Sequence, residues 1–252
     1  MQKIWLEWET AVQFLTRIPW PTPHLSLQKF DADRFVRSVK WYPYVGILIG
    51  GILYVFACGL YRWFPAPVAS ILVLLAEIAI TGGLHLDGLM DTADGMMSGR
   101  DRERKLEIMK DSRVGAMGVI AFVSLFALKW SLLSEVSVKF PLLLLIMPSI
   151  GRLTMVWAIA KYPPARREGM GVSIAGRLSS TQLLAANLAL ILPLAVWQLH
   201  GVLIVLVCAA VMWAFASWIY RSIGGLTGDS YGFLCETAEV VFLLASVGIM
   251  AI

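Results

Sequence analysis

Asp87, Asp91 and Asp94 stand at i, i+4 and i+7 in the run His85-Leu-Asp-Gly-Leu-Met-Asp-Thr-Ala-Asp-Gly95. On a helix turning roughly 100° per residue they share an arc of about 60°. No lysine or arginine lies between Asp87 and Asp94, so three like charges repel unless a cation sits among them. Gly88 and Gly95 follow two of the acids and leave room for a ligand against the backbone. Six bases then follow, Arg100, Arg102, Arg104, Lys105, Lys110 and Arg113, with a further acid at Asp111. Carboxylates that hold a hard cation, beside bases that hold phosphate, are what magnesium-dependent phosphoryl transfer requires. Asp87, Asp91 and Asp94 are therefore expected to bind metal. Asp111 is a candidate fourth ligand or general base, and Arg113 a candidate phosphate clamp. His85 points roughly 180–200° from the stripe on a regular helix, so a structural hydrogen bond is expected of it rather than ligation.

The elements that must position these residues are membrane helices. The chain has 252 residues, of which 58% are hydrophobic and only 15% charged, and its mean hydropathy is +0.73. Such a composition predicts an all-α, polytopic membrane protein. Seven apolar runs approach the roughly 20 residues a crossing needs: Val45–Phe64, Ala69–Leu86, Met117–Val138, Phe140–Ala160, Leu183–Leu199, Val202–Ile219 and Ala238–Ile252. Residues 3–18 carry Ile4, Trp5, Trp8, Val12 and Leu15 on one side, the pattern of an amphipathic helix lying on the membrane surface. Prolines in Pro19-Trp-Pro-Thr-Pro23 stop it. A cleavable leader is not expected, because Glu7, Glu9 and Arg17 interrupt the N-terminal run. Cys58, Cys208 and Cys235 are too scattered for a disulfide framework or a zinc site. The expected organisation is one membrane-embedded unit over 1–252, with 1–44 interfacial or cytoplasmic and 45–252 forming the bundle.

Seven spans put the N-terminal segment and the loops around 87–116, 161–182 and 220–237 on one side. That side holds seventeen of the 21 lysines and arginines, so the positive-inside rule places it in the cytoplasm.

Other polar positions have two readings each. Arg166 and Arg167, in the loop Lys161–Arg177, offer donors to a phosphate, or are ordinary positive-inside residues. Glu236 and Glu239 either compensate a helix N-terminus or form a second acidic wall around the site. Gly82-Gly-Leu-His-Leu-Asp87 and Gly224-Gly-Leu-Thr-Gly-Asp229 share G-G-L-x-x-D. The echo is either coincidence in a glycine-rich chain, or two glycine pairs that let backbone approach one shared ligand with an acid beside each. Glu77 and Arg152 lie about 12–14 Å from their helix ends at 1.5 Å per residue, and are expected to pair or to floor a polar cavity.

The central motif, residues 82–95, followed by Arg-Lys-Leu-Glu-Ile-Met-Lys-Asp-Ser-Arg-Val-Gly at 104–115, resembles the cobalamin 5′-phosphate synthase (adenosylcobinamide-GDP ribazoletransferase) family. The likeness extends to Phe14-Leu-Thr-Arg-Ile-Pro19, Tyr42-Pro-Tyr-Val-Gly46, Arg166-Arg-Glu-Gly169, and Gly224–Asp229 with Glu236 and Glu239. It implies that α-ribazole, or its 5′-phosphate, attacks adenosylcobinamide-GDP and expels GMP, with Mg²⁺ as cofactor. On that reading Asp87, Asp91 and Asp94 hold the metal, and Asp111 completes the site or takes the ribose proton. Asp94 and Asp111 would then be the catalytic pair. Arg100, Arg113, Arg166 and Arg167 would bind phosphates, and Asp229, Glu236 and Glu239 would wall the substrate. The implied surroundings are the cytoplasmic (inner) membrane and its lipid; nucleic acid is not an expected partner, and a homo-oligomer stays open. Rival readings are another magnesium-dependent membrane phosphotransferase or a prenyltransferase acting on a diphosphate. An ion-coupled transporter, favoured only by Glu77, Lys129 and Arg152, is a third.

Overall fold

The computed structural model describes residues 2–19, 31–139 and 142–250, and no β-strand occurs among them. The breaker Pro19-Trp-Pro-Thr-Pro23 lies outside this set beyond Pro19, as do the start of the run expected at Phe140 and the end of the one expected at Ile252. Helix α1 (Gln2–Leu15) is followed by the short α2 (Ala32–Ser38). The amphipathic face of α1 is divided: Ala11, Val12 and Leu15 are buried against α2 and the next helix, whereas Ile4 and Trp5 face outward. Glu7 closes its base with Arg37 at 2.9 Å and Lys40 at 2.8 Å.

The membrane bundle contains α3 (Tyr42–Trp63), α4 (Ala66–Thr81) and α5 (Leu84–Met97). After the short α6 (Arg102–Ile108) come α7 (Ala116–Lys139) and α8 (Leu142–Lys161). Two short helices, α9 (Met170–Ile174) and α10 (Ser180–Asn187), lead to α11 (Ile191–Ile223) and α12 (Gly228–Met250). Among the described residues, five helical stretches are long and apolar enough to cross a membrane, six if α4 and α5 count as one bent span. The longest stretch, 180–223, is itself folded. Gln198 has φ 46°, ψ −119°, and a Cβ on Gly201 would lie 2.5 Å from the Pro193 carbonyl oxygen. Eight helical residues advance about 12 Å, so that approach requires the chain to turn back. The two runs expected at Leu183–Leu199 and Val202–Ile219 are its two arms. Helix α8 is the axis of the bundle, with α3 and α12 packed on it and α5 on α12.

One expected boundary moves. The second span, read as Ala69–Leu86, ends at Thr81. Gly82 and Gly83 both take left-handed backbone, φ 66° and 70°, a conformation that costs glycine nothing. The axis then swings by 92° into α5. The aspartate stripe thus has a helix of its own, lying across the end of α4 rather than continuing it.

Candidate active site

Two helix starts meet at the site. Gly224, φ 75°, ends α11 in the same left-handed way that Gly82 ends α4, and each glycine pair is followed by a helix carrying an aspartate in its first turn, Asp87 in α5 and Asp229 in α12. The two helices touch backbone to backbone. A Cβ on Gly88 would come within 2.7 Å of the Asp229 carbonyl oxygen, and one on Gly232 within 2.9 Å of the His85 carbonyl oxygen. Only glycine permits that approach. The repeated G-G-L-x-x-D pattern therefore has a spatial counterpart: Asp87 and Asp229 border one cavity, together with Gly88, Gly228 and Gly232.

Asp91 is half-buried on the same face, and the charges of Asp87, Asp229 and Asp94 all bear on it, opposed by that of Arg166. Arg166 is held by Asp229 at 3.0 Å. Its loop is fixed to the start of α12 by a short parallel bridge, with Ala165 N–H donating to the Leu226 carbonyl at 2.9 Å and Leu226 N–H to that of Pro163 at 2.9 Å. A carboxylate-rich face with one guanidinium beside it is matched to a diphosphate carrying its own divalent cation.

Asp94 is engaged differently. Its two oxygens accept from Gly115 N–H at 2.8 Å and Gly118 N–H at 2.7 Å, two of the amides that the start of α7 leaves without helical partners. It is a long-range cap for that helix. Asp94→Ala is expected to lower stability by about 0.5–2 kcal/mol, as loss of a capping oxygen does; an unchanged thermal unfolding midpoint in detergent would show that the anchor contributes nothing.

Asp111 lies between α6 and α7, where Arg113 donates to it from Nη2 at 2.7 Å and from Nε at 3.1 Å. These side-chain bonds, joined by the Arg113 backbone N–H, hold its carboxyl down to about 2. Its charged neighbours are Arg113 and Arg104 rather than the stripe. Metal ligation or base catalysis by Asp111 therefore requires this fork to open. Arg113 is 87% exposed along its side chain; Arg100 and Arg167 are also exposed.

Glu236 and Glu239 do not wall the polar face. They are buried with Glu77, Lys129 and Arg152 in a network inside the bundle. Lys129 contacts Glu77 at 2.8 Å, Glu236 at 3.3 Å, and Glu239. Arg152, fully buried, pairs with Glu239 rather than with Glu77 as expected. The charges that favoured a transporter thus belong to one buried network of three acids and two bases. His85 makes the structural bond expected of it, to Arg152 Nη2 at 3.2 Å through Nδ1. Tyr231 and Thr227, also at this site, carried no signal in the sequence; Thr227 Oγ1 donates to Asp229 at 3.3 Å.

Among the described residues, no three His, Cys, Asp or Glu side chains converge closely enough to hold a metal by themselves. Magnesium is commonly held by one or two carboxylates plus substrate phosphates, and Asp87 and Asp91 fit that pattern: both are oxygen donors, and nothing among the described residues hydrogen-bonds the exposed Asp87 carboxylate.

A family model described as Cobalamin-5-phosphate synthase matches residues 7–247. An adenosylcobinamide-GDP ribazoletransferase of Desulforamulus reducens is 41% identical over 238 residues, covering 93% of this chain and 94% of the relative. Proteins of that name from Roseiflexus sp. (strain RS-1) and Desulfitobacterium hafniense (strain Y51) are 38% and 37% identical, covering 92% and 98% of this chain and 86% and 96% of the relatives. No solved structure matches the chain.

Proposed function

Because the chain belongs to the cobalamin-5-phosphate synthase family, we propose that it joins adenosylcobinamide-GDP to α-ribazole, or to α-ribazole 5′-phosphate, with release of GMP. The observation that carries this reading is the meeting of α5 and α12, which brings Asp87 and Asp229 to the edge of one cavity, with Arg166 paired to Asp229 and Asp91 within reach of their charges. The reaction breaks a phosphoanhydride P–O bond and forms a P–O bond to a ribose hydroxyl. The hydroxyl proton passes to a carboxylate, and GMP leaves with the bridging oxygen.

Residues of this chain supply positioning and charge. Arg166, kept in place by Asp229, donates to a phosphoryl oxygen of the diphosphate. Asp87 and Asp91 hold Mg²⁺. When bound, the metal neutralises charge on the diphosphate and on the departing GMP. The first turns of α5 and α12 both border the cavity, and helix N-termini favour an anionic group. Asp94 acts at one remove, by fixing α7 against α5.

The protein is a multi-pass membrane protein. We place it in the bacterial inner membrane with its N-terminus and the loop carrying Arg166 in the cytoplasm, where the excess of basic residues sits and where nucleotide substrates are found.

The test is direct. Purified protein in lipid nanodiscs, given adenosylcobinamide-GDP and α-ribazole, is expected to release GMP with Mg²⁺ present and to stop when the metal is chelated. No GMP at any magnesium concentration would refute the activity, and undiminished release under chelation would refute the metal.

A further inference from the structure

The cavity edged by Asp87 and Asp229, about 120 Å³ in all, is otherwise a mainly apolar chamber. Its walls are Phe14, Phe35, Tyr42, Met155, Ile159 and Ile174, drawn from α1, α2, α3, α8 and α9. An apolar void of this order accepts a small aromatic group. Three buried polar groups on lining residues have no protein partner: His85 Nε2, Tyr42 Oη and Tyr231 Oη. The state of the first can be deduced. Arg152 can only donate, so His85 Nδ1 accepts from it, and a neutral imidazole then carries its hydrogen on Nε2. The chamber therefore presents an unused N–H donor and two hydroxyls within aromatic and aliphatic walls. Leaving such groups unpaired is costly, which makes a ligand with a matching acceptor their natural complement.

We propose that this chamber seats the aromatic base of the acceptor nucleoside, a flat, mostly apolar benzimidazole whose one free ring nitrogen accepts a hydrogen bond from His85 Nε2–H or Tyr231 Oη–H. The inference rests on the transferase reading and assigns the acceptor's half of that site. Three features favour this base over the guanine of the other substrate. The walls are apolar, guanine carries several donors and acceptors that would go unmatched here, and the ribose of a seated base emerges beside Asp87 and Asp229, where the phosphoryl group is held. Base choice would then be made inside the bundle, by α1, α3, α8 and α9, while the acidic face handles the diphosphate.

Two variants and two readouts test it, all on the full chain in nanodiscs. Ile174→Trp, on the short α9, fills the chamber; Tyr231→Phe removes one hydroxyl. The first is expected to raise KM for α-ribazole at least tenfold and the second about three- to tenfold, with KM for adenosylcobinamide-GDP within twofold of the parent. Equilibrium binding of free 5,6-dimethylbenzimidazole to the unmodified chain, weakened at least tenfold by Ile174→Trp, is the second readout and needs no turnover. An unchanged acceptor KM in both variants, a shift confined to the GDP substrate, or displacement of the bound base by guanosine would each overturn the assignment. Should the parent release no GMP yet bind the base in a manner sensitive to Ile174→Trp, the transferase reading fails while the chamber stands as a site for the base alone. If the parent turns over and both variants keep its acceptor KM, the chamber assignment fails and the transferase reading stands.

Discussion

Asp87→Asn and Asp91→Asn are each expected to lower magnesium-dependent GMP release by about 10²–10³-fold, with little change in unfolding temperature. The magnitude follows from the several kcal/mol that charge stabilisation supplies at a transferring phosphoryl group, at 1.36 kcal/mol per factor of ten. Stability should survive because neither carboxylate is needed by the fold. Asp87 is exposed, and Asp91 sits among Asp87, Asp94 and Asp229, so removing a charge there relieves repulsion instead of breaking a bond. Raising magnesium should restore part of the activity of either variant if the lost carboxylate served the metal. Near-parental turnover in both variants, measured at limiting magnesium, would remove these residues from the site.

Arg152→Met is expected to destabilise the bundle by about 3–5 kcal/mol, the cost of leaving a buried charge without its partner. The guanidinium is fully buried, bonds Glu239 and the Pro148 carbonyl, and meets His85. Its loss leaves Glu239 with Lys129 as its remaining cation. Because Arg152 also sets the ring of His85, activity should fall beyond what reduced stability explains. The double variant Arg152→Met/Glu239→Gln, which removes both charges, should recover part of the loss, since groups in one network couple strongly. Thermal unfolding of the single and double variants in detergent checks both statements. Additive losses would mean that the pair does not interact.

The contrast between these two sites explains which parts of the molecule could be read along the chain. The stripe is a local pattern. Residues at i, i+4 and i+7 share a face on any helix, and the structure has a helix over Leu84–Met97. The Asp111–Arg113 fork is equally local, two residues apart, and the bond was open to inspection although the sequence-based expectation made Asp111 a metal ligand or general base. Asp94 could not be told from Asp87 or Asp91 by type or spacing. What separates it is a pair of amides more than twenty residues downstream, delivered by the way α7 packs. The same holds for the buried charges. Their depth is countable from helix ends, but Arg152 meets Glu239 rather than Glu77 because α12, not α4, lies alongside α8 at that level.

The sequence alone determined the class of the molecule and its family: membrane helices from hydropathy, the family from the motif at residues 82–115, and an acidic face from the aspartate period. These depend on composition and short-range spacing, which survive whatever the helices do afterwards. Only the tertiary structure decided that the stripe lies on a separate helix turned by 92°, that the second Gly-Gly-Leu motif stands against the first, and that Glu236 and Glu239 belong to the bundle interior rather than to the site. Each of those rests on contacts between residues far apart in the chain, where backbone approach at Gly88 and Gly232, not spacing, determines what meets what.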